Sequence, residues 1–251
     1  MYGILVNYII TLLERNKRKD VIIIKTITIV GAGEGLGFSL AQKFGTKGFQ
    51  TALVARNKTK LDTMAEKLKS DGIEASAFPA DVTDSVQLQK AFKAIKNKYG
   101  FIDVLEFSPL PGNLPPISTL NLTEESLREQ FDGLILGALR SVKEVLPDMI
   151  ERAEGALLFT TPLSSMYPIP PTASVGIVAS ALRTYARNLY IELKPKGIYV
   201  GHLSLGLFMK PGEETPSLVA NALYDMYLNR EKDEDVYPPG VTPAAITWPS
   251  S

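Results

Sequence analysis

The sequence predicts a single α/β domain built on a doubly wound, mostly parallel sheet with helices on both faces. Three observations carry this expectation. Strand and helix signals alternate along the chain without a convincing linker. The first strand signal, a β-branched run at residues 21–30, ends directly in a glycine-rich turn. Hydrophobic residues make up 45% of the 251 positions and charged residues 22%, enough apolar surface for a sizeable core.

Each element rests on its local pattern. VIIIKTITIV at 21–30 reads as a buried first strand, followed by a helix over 35–46 and a second strand over 50–55. KTKLDTMAEKLKS (58–70) has helical spacing, and SAFPADV (76–82) supplies a third strand with its end loop. Asp84 is placed to cap a helix reaching residue 99, because its carboxylate can accept from the free N–H groups of the first turn. FIDVLEFS (101–108) makes a fourth strand, and Pro109, Pro111, Pro115 and Pro116 prevent regular structure in the segment after it. Thr123 before Glu124, Glu125 and Ser126 starts a long helix running to residue 149. A fifth strand at 155–161, a long helix at 173–193, a sixth strand at 198–203, a helix at 218–228 and a short closing strand at Val236 and Tyr237 complete the order. The end YPPGVTPAAITWPS lacks a sustained polyproline pattern and reads as a packed or loose tail.

Composition removes several function classes. With no cysteine, there is no disulfide, thiolate nucleophile or cysteine-ligated metal centre, and a single histidine, His202, excludes a multi-histidine metal site. The 27 basic and 27 acidic side chains balance, so no uniform field steers nucleic acid to the surface. Residues 1–13 are largely apolar and precede the charged run ERNKRKD. Thirteen helical residues rise about 20 Å, too little to cross about 30 Å of hydrocarbon. The charges come after the apolar run, the reverse of a secretory signal, so residues 1–24 read as an extension or extra helix on a cytoplasmic domain spanning 25–251.

The strongest chemical signal is Val30-Gly31-Ala32-Gly33-Glu34-Gly35-Leu36-Gly37 at the first strand-to-helix junction. Gly31 permits a tight turn, Gly33 adds a further unencumbered position, and Gly35 and Gly37 let a dinucleotide diphosphate approach the helix N-terminus beside Leu36.

From this turn onward the chain resembles the short-chain dehydrogenase/reductase superfamily, whose first turn is similar to Gly31-x-x-x-Gly35-x-Gly37. The resemblance covers residues 25–237. It continues through Ala55-Arg56-Asn57, Asp81-Val82-Thr83-Asp84, Leu146-Pro147-x-Met149, residues 181–193 and Gly197-Ile198-Tyr199-Val200. It implies a Rossmann-like nucleotide-binding domain and a homodimer or homotetramer paired through the two long helices. It also implies a binding map in which Asp81 contacts the adenine amino group and Val82 flanks the ring. Arg56 resembles a residue that engages an adenosine 2′-phosphate, and Ala55 offers no carboxylate for free ribose hydroxyls, so NADP is expected and NAD stays possible. Glu34 argues the other way, since its charge repels an added phosphate. From the residues alone, Arg56 and Asp81 stay open to a plainer role as surface or capping groups.

The catalytic half of the resemblance is absent. The family uses a Ser/Tyr/Lys constellation supported by Asn, and the neighbouring motifs place those positions at Pro162, Val175, Ala179 and Leu134 respectively. None of these side chains polarises a carbonyl or donates a proton. Phe107-Ser108-Pro109-Leu110 and Ser204-Leu205-Gly206 also replace family segments on the nicotinamide side. Tyr190 and Lys194 repeat the Tyr-x-x-x-Lys spacing, but 15 residues beyond the expected tyrosine position.

Ser164, Ser165 and Tyr167 after the fifth strand, with Ser108, Thr160 and Thr161 at strand ends, are the available compensating groups. His202 reads as a polar core or surface residue with no visible carboxylate or nucleophile partner. Lys210 is open to ligand or solvent, and Asp233-Glu234-Asp235 reads as a solvated turn. Two functions are therefore expected, a noncatalytic or atypical NAD(P)-binding protein or an NADP-dependent oxidoreductase acting on an unknown carbonyl through a rewired site, with a cofactor-free structural module as a third possibility.

Overall fold

The computed structural model describes residues 24–109 and 116–245. The expected extension at 1–24, apart from Ile24, lies outside the described residues, as do Pro111, Pro115 and the end of the tail. The first strand, β1 (Thr26–Val30), is fully buried and shorter than the apolar run predicts: Ile24 is half-exposed and lies before it. Helix α1 (Leu36–Gly45), strand β2 (Gln50–Ala55) and helix α2 (Lys58–Ser70) come next, as expected. The Asn57 side chain caps α2 by accepting from Lys60 N at 3.0 Å.

Strand β3 (Ala75–Pro79) leads to helix α3 (Ser85–Tyr99), where Asp84 accepts from Val86 N and Gln87 N at 2.9 and 3.0 Å. Caps of this kind contribute about 1 kcal/mol each. Strand β4 (Val104–Phe107) starts three residues later than predicted. Phe101 is exposed, while the side chain of buried Asp103, just before the strand, accepts from Thr26 N at 2.8 Å and pairs with Arg152.

The long helix expected after Thr123 is composite. Helix α4 (Glu124–Phe131) opens on a reciprocal Thr123–Ser126 cap, a π-helical turn occupies Asp132–Leu136, and α5 (Gly137–Arg152) continues past Pro147. Beyond it lie strand β5 (Gly155–Pro162), helix α6 (Ala173–Leu193) and strand β6 (Ile198–Leu205). Helix α7 (Thr215–Asn229) and strand β7 (Glu234–Tyr237) close the chain. Helix α7 begins three residues earlier than the apolar pattern suggests, with Pro216 in its first turn, where a missing N–H costs nothing.

The seven strands among the described residues are all parallel, in the order β3-β2-β1-β4-β5-β6-β7. Strand alternation sends Ile27, Ile29 and Leu158 to the face covered by α1, α2 and α7. Val30, Leu105 and Phe159 face α3, α5 and α6. The order reverses between β1 and β4, and at such a switch point the two connecting chains diverge and leave a crevice at the C-terminal strand ends.

Candidate functional site: a glycine-lined cleft backed by buried ionisable groups

The C-terminal ends of β1, β2, β4, β5 and β6 open into one cleft of about 1260 Å³. At one end lie Gly31, Gly33, Gly35, Leu36 and Gly37 with Arg56, Asp81 and Val82, so every expected cofactor-binding residue lines the same cleft. The glycines differ in purpose. Gly31 has φ +96°, and a Cβ there would stand 2.5 Å from Pro109 N, whereas a Cβ at Gly37 would stand 2.7 Å from Ala32 Cα. Both are required by the fold. At Gly35 a Cβ would meet nothing within 4 Å, and at Gly33 only Gly31 O at 3.9 Å. Their open faces leave a cradle beside the N-terminus of α1, where backbone N–H groups and the helix dipole favour an anion. The turn therefore fits a dinucleotide diphosphate.

Arg56 is exposed at the cleft and makes no hydrogen bond or ion pair with the described residues. Glu34, whose charge opposes a phosphate near Arg56, has its carboxylate 3.8 Å from Lys60 Nζ. Asp81 holds its own loop: Oδ1 accepts from Thr83 N and Oγ1 at 2.9 and 2.7 Å, while Oδ2 has no hydrogen bond among the described residues.

Leu134, Pro162 and Val175 line the opposite end of the same cleft, and Ala179 is buried behind them. The π-helical turn brings Gly133 and Leu134 to this wall. Thr160, Thr161, Ser164 and Ser108 share the cleft with them. Ser164 Oγ is buried with no hydrogen-bond partner among the described residues, a free donor beside the cavity. Tyr167 is 38% exposed and outside the cleft lining, so it does not enter the pocket as a replacement proton donor. Lys210 is exposed and also outside the lining. Tyr190 accepts from Lys194 Nζ at 2.9 Å near the far end of α6, a local pair outside the cleft.

Two buried ionisable groups, Glu106 and His202, back the cleft hydroxyls; of the two, the sequence singled out only His202, and without a partner. Glu106, inside β4, is fully buried; its carboxyl oxygens accept from Ser108 Oγ at 3.1 Å and Thr160 Oγ1 at 3.3 Å. Burial pushes its pKa up to about 8 against the pull of the two hydroxyls. A charged residue inside an otherwise apolar strand was the available signal.

His202 corrects the expectation of an unpartnered residue. Its Nε2 lies 2.8 Å from Thr161 Oγ1 and its Nδ1 lies 3.2 Å from Glu234 Oε1. Glu234 is not part of a solvated turn: it sits in edge strand β7, where Arg183 of α6 clasps both carboxylate oxygens. Asp233 pairs with Arg187 and Asp235 with Lys232. Burial alone raises the Glu234 pKa, but the His202 and Arg183 hydrogen bonds outweigh it and carry the carboxyl down to about 2. Burial holds the His202 pKa below its ordinary value despite the opposing effect of Glu234.

A family model described as short chain dehydrogenase matches residues 25–214. The chain is 26% identical over 190 residues to an uncharacterized oxidoreductase of Staphylococcus epidermidis, covering 76% of this chain and 80% of that protein. A comparable protein of Staphylococcus aureus is 26% identical over 183 residues, with 73% and 78% covered. Among solved structures, an alcohol dehydrogenase from Thermococcus sibiricus complexed with 5-hydroxy-NADP superposes with a TM-score of 0.76 at 23% identity, covering 91% of this chain and 100% of that one. L-Sorbose reductase from Gluconobacter frateurii, complexed with NADPH and L-sorbose, gives a TM-score of 0.76 at 18% identity, with 88% and 97% covered. These two establish likeness of fold. Among the described residues no helix is long and apolar enough to cross a membrane.

Proposed function

The chain belongs to the short-chain dehydrogenase/reductase family, and from that premise we propose that it is an NADP(H)-dependent oxidoreductase interconverting a carbonyl and an alcohol through a rewired site. The observation that carries this reading is the continuity of one cleft, from the glycine turn and Arg56 to the hydroxyls of Thr160, Thr161 and Ser164. A nicotinamide nucleotide, when bound, supplies the hydride donor or acceptor that no side chain provides.

The remaining tasks fall to this chain. The 31–37 turn takes the diphosphate, Asp81 and Val82 hold the adenine end, and Arg56, unpaired among the described residues, takes the 2′-phosphate while Glu34 is drawn toward Lys60. Orphaned Ser164 Oγ orients a substrate oxygen. Ile169, Val175, Leu205, Leu207 and Met209 line the same end, which suits a substrate with an apolar body. Support comes from the curated relatives described as oxidoreductases and from the NADP(H)-type ligands in solved structures sharing the fold.

A second reading, nucleotide binding without redox turnover, is favoured by the apolar set Leu134, Pro162, Val175 and Ala179. Calorimetric titration with NADPH and NADH, followed by NADPH oxidation assays over a panel of apolar ketones and aldehydes, separates the two. Binding with turnover supports the oxidoreductase; binding without turnover supports the second reading; absence of binding removes both. On either reading the working protein is a cytoplasmic homodimer or homotetramer.

A further inference from the structure

A continuous polar chain leaves the cleft beneath α6 and reaches the edge of the sheet. Thr161, at the end of β5, lines the cleft and is 3% exposed; His202, on neighbouring β6, is fully buried; Glu234, on β7, has 14% of its side chain exposed. The parallel register places Thr161 opposite Ser204 and His202 opposite Glu234, and three adjacent strands contribute one residue each. The links are 2.8 Å from Thr161 Oγ1 to His202 Nε2 and 3.2 Å from His202 Nδ1 to Glu234 Oε1.

The proton positions are set by the end of the chain. Glu234, clasped by Arg183, is ionised at neutral pH and only accepts hydrogen bonds. Nδ1 of neutral His202 therefore carries the proton, which leaves Nε2 as a bare acceptor facing the Thr161 hydroxyl. That hydroxyl also has Ser165 Oγ within 2.9 Å, itself 2.8 Å from Ser204 Oγ, so rotation about one bond lets Thr161 give its proton to either partner. The charged groups facing His202 are Glu234 from β7 and Arg183 and Arg187 from α6, the last paired with Asp233; β5 contributes only the Thr161 hydroxyl.

We propose that Thr161, His202 and Glu234 form the proton path of this site, with Thr161 exchanging the proton of a substrate hydroxyl and His202 Nε2 storing it. The proposal rests on the oxidoreductase reading above. In the oxidative direction the alcohol O–H proton passes to Thr161 Oγ1 as the Thr161 proton moves to Nε2. A bound oxidised nicotinamide nucleotide would accept the C–H electron pair as hydride, leaving the carbonyl, while Glu234 holds the imidazolium. Release of one proton to solvent restores neutral His202. Reduction runs the same transfers backwards and consumes one proton.

His202 is the only histidine in the chain, so a histidine-selective nitrogen-15 label reports this ring alone. Near pH 7 the ring is expected to be neutral, with Nδ1 protonated and Nε2 bare, and Thr161→Val should move the Nε2 resonance more than that of Nδ1. A neutral ring protonated at Nε2 overturns the path whatever the catalytic outcome. With NADP+ and a panel of 1-phenylethanol, cyclohexanol and 2-octanol, Thr161→Val should lower kcat at least about a hundredfold. Its NADP+ affinity should stay within about twofold of wild type, and Thr161→Ser should recover turnover. His202→Gln should remove the limb of the kcat pH profile that reports the imidazole. Wild-type turnover by Thr161→Val overturns the path and leaves the oxidoreductase reading intact. No turnover by the wild-type protein in either direction overturns that reading and the path with it.

Discussion

Glu106 Oε1 lies 3.3 Å from Thr160 Oγ1, which places a fully buried carboxyl one hydrogen bond behind a hydroxyl that lines the cleft. Its pKa is pushed from 4.5 up to about 8 by burial. Between those values the unfolded chain has released this proton while the folded protein keeps it. Stability from this group is therefore fully present below pH 4.5 and is lost as pH rises toward 8. Relative to Glu106→Gln, wild type should lose up to about 1.4 kcal/mol per pH unit across that window. Urea unfolding of both proteins at intervals from pH 5 to 8 measures the difference, and parallel pH dependences would refute it.

Arg56 should discriminate between the two nicotinamide nucleotides. Its guanidinium is exposed at the cleft and unpaired among the described residues, so it is free to meet a 2′-phosphate. Arg56→Ala should weaken NADPH binding roughly tenfold, about 1.4 kcal/mol, and leave NADH within about twofold. Calorimetric titration of both nucleotides tests this. Equal losses for the two would assign Arg56 a role that does not involve the extra phosphate.

The glycine turn should separate folding from binding. Gly31→Ala forces a side chain into φ +96° and against Pro109, and should cost about 2 kcal/mol or more. Gly35→Ala places its methyl where no atom stands within 4 Å and should lower nucleotide affinity at least about tenfold. Thermal melts paired with titrations read both effects. Undiminished nucleotide affinity in Gly35→Ala would place the diphosphate elsewhere.

Association is expected through α4–α5 and α6, whose outward faces leave Phe131, Ile177 and Ile191 at 44%, 51% and 70% exposure. Light scattering during size-exclusion chromatography should give a dimer or tetramer mass, reduced by Ile177→Glu combined with Ile191→Glu. A monomer at every concentration would reject this interface.

The elements, the strand-to-helix order and the glycine-rich turn at the end of β1 were legible in the sequence. These rest on local causes: β-branched runs, the Asn57, Asp84 and Thr123 caps, and glycines clustered within seven residues. The neighbouring motifs also set the register of Leu134, Pro162 and Val175, and all three line one wall of the cleft.

The groups standing beside them emerged only from packing across the sheet. Thr161 and His202 are 41 residues apart, and His202 and Glu234 are 32 apart; they meet because β5, β6 and β7 pair in a particular register. The same packing turned a supposed acidic surface turn into a clasped carboxylate, drew Glu34 toward Lys60, and kept Tyr167 outside the cleft lining. Local propensity sets which residues form a strand. The pKa of Glu106 and the partner of His202 depend on desolvation and on hydrogen bonds across strands, which exist only once the sheet has assembled.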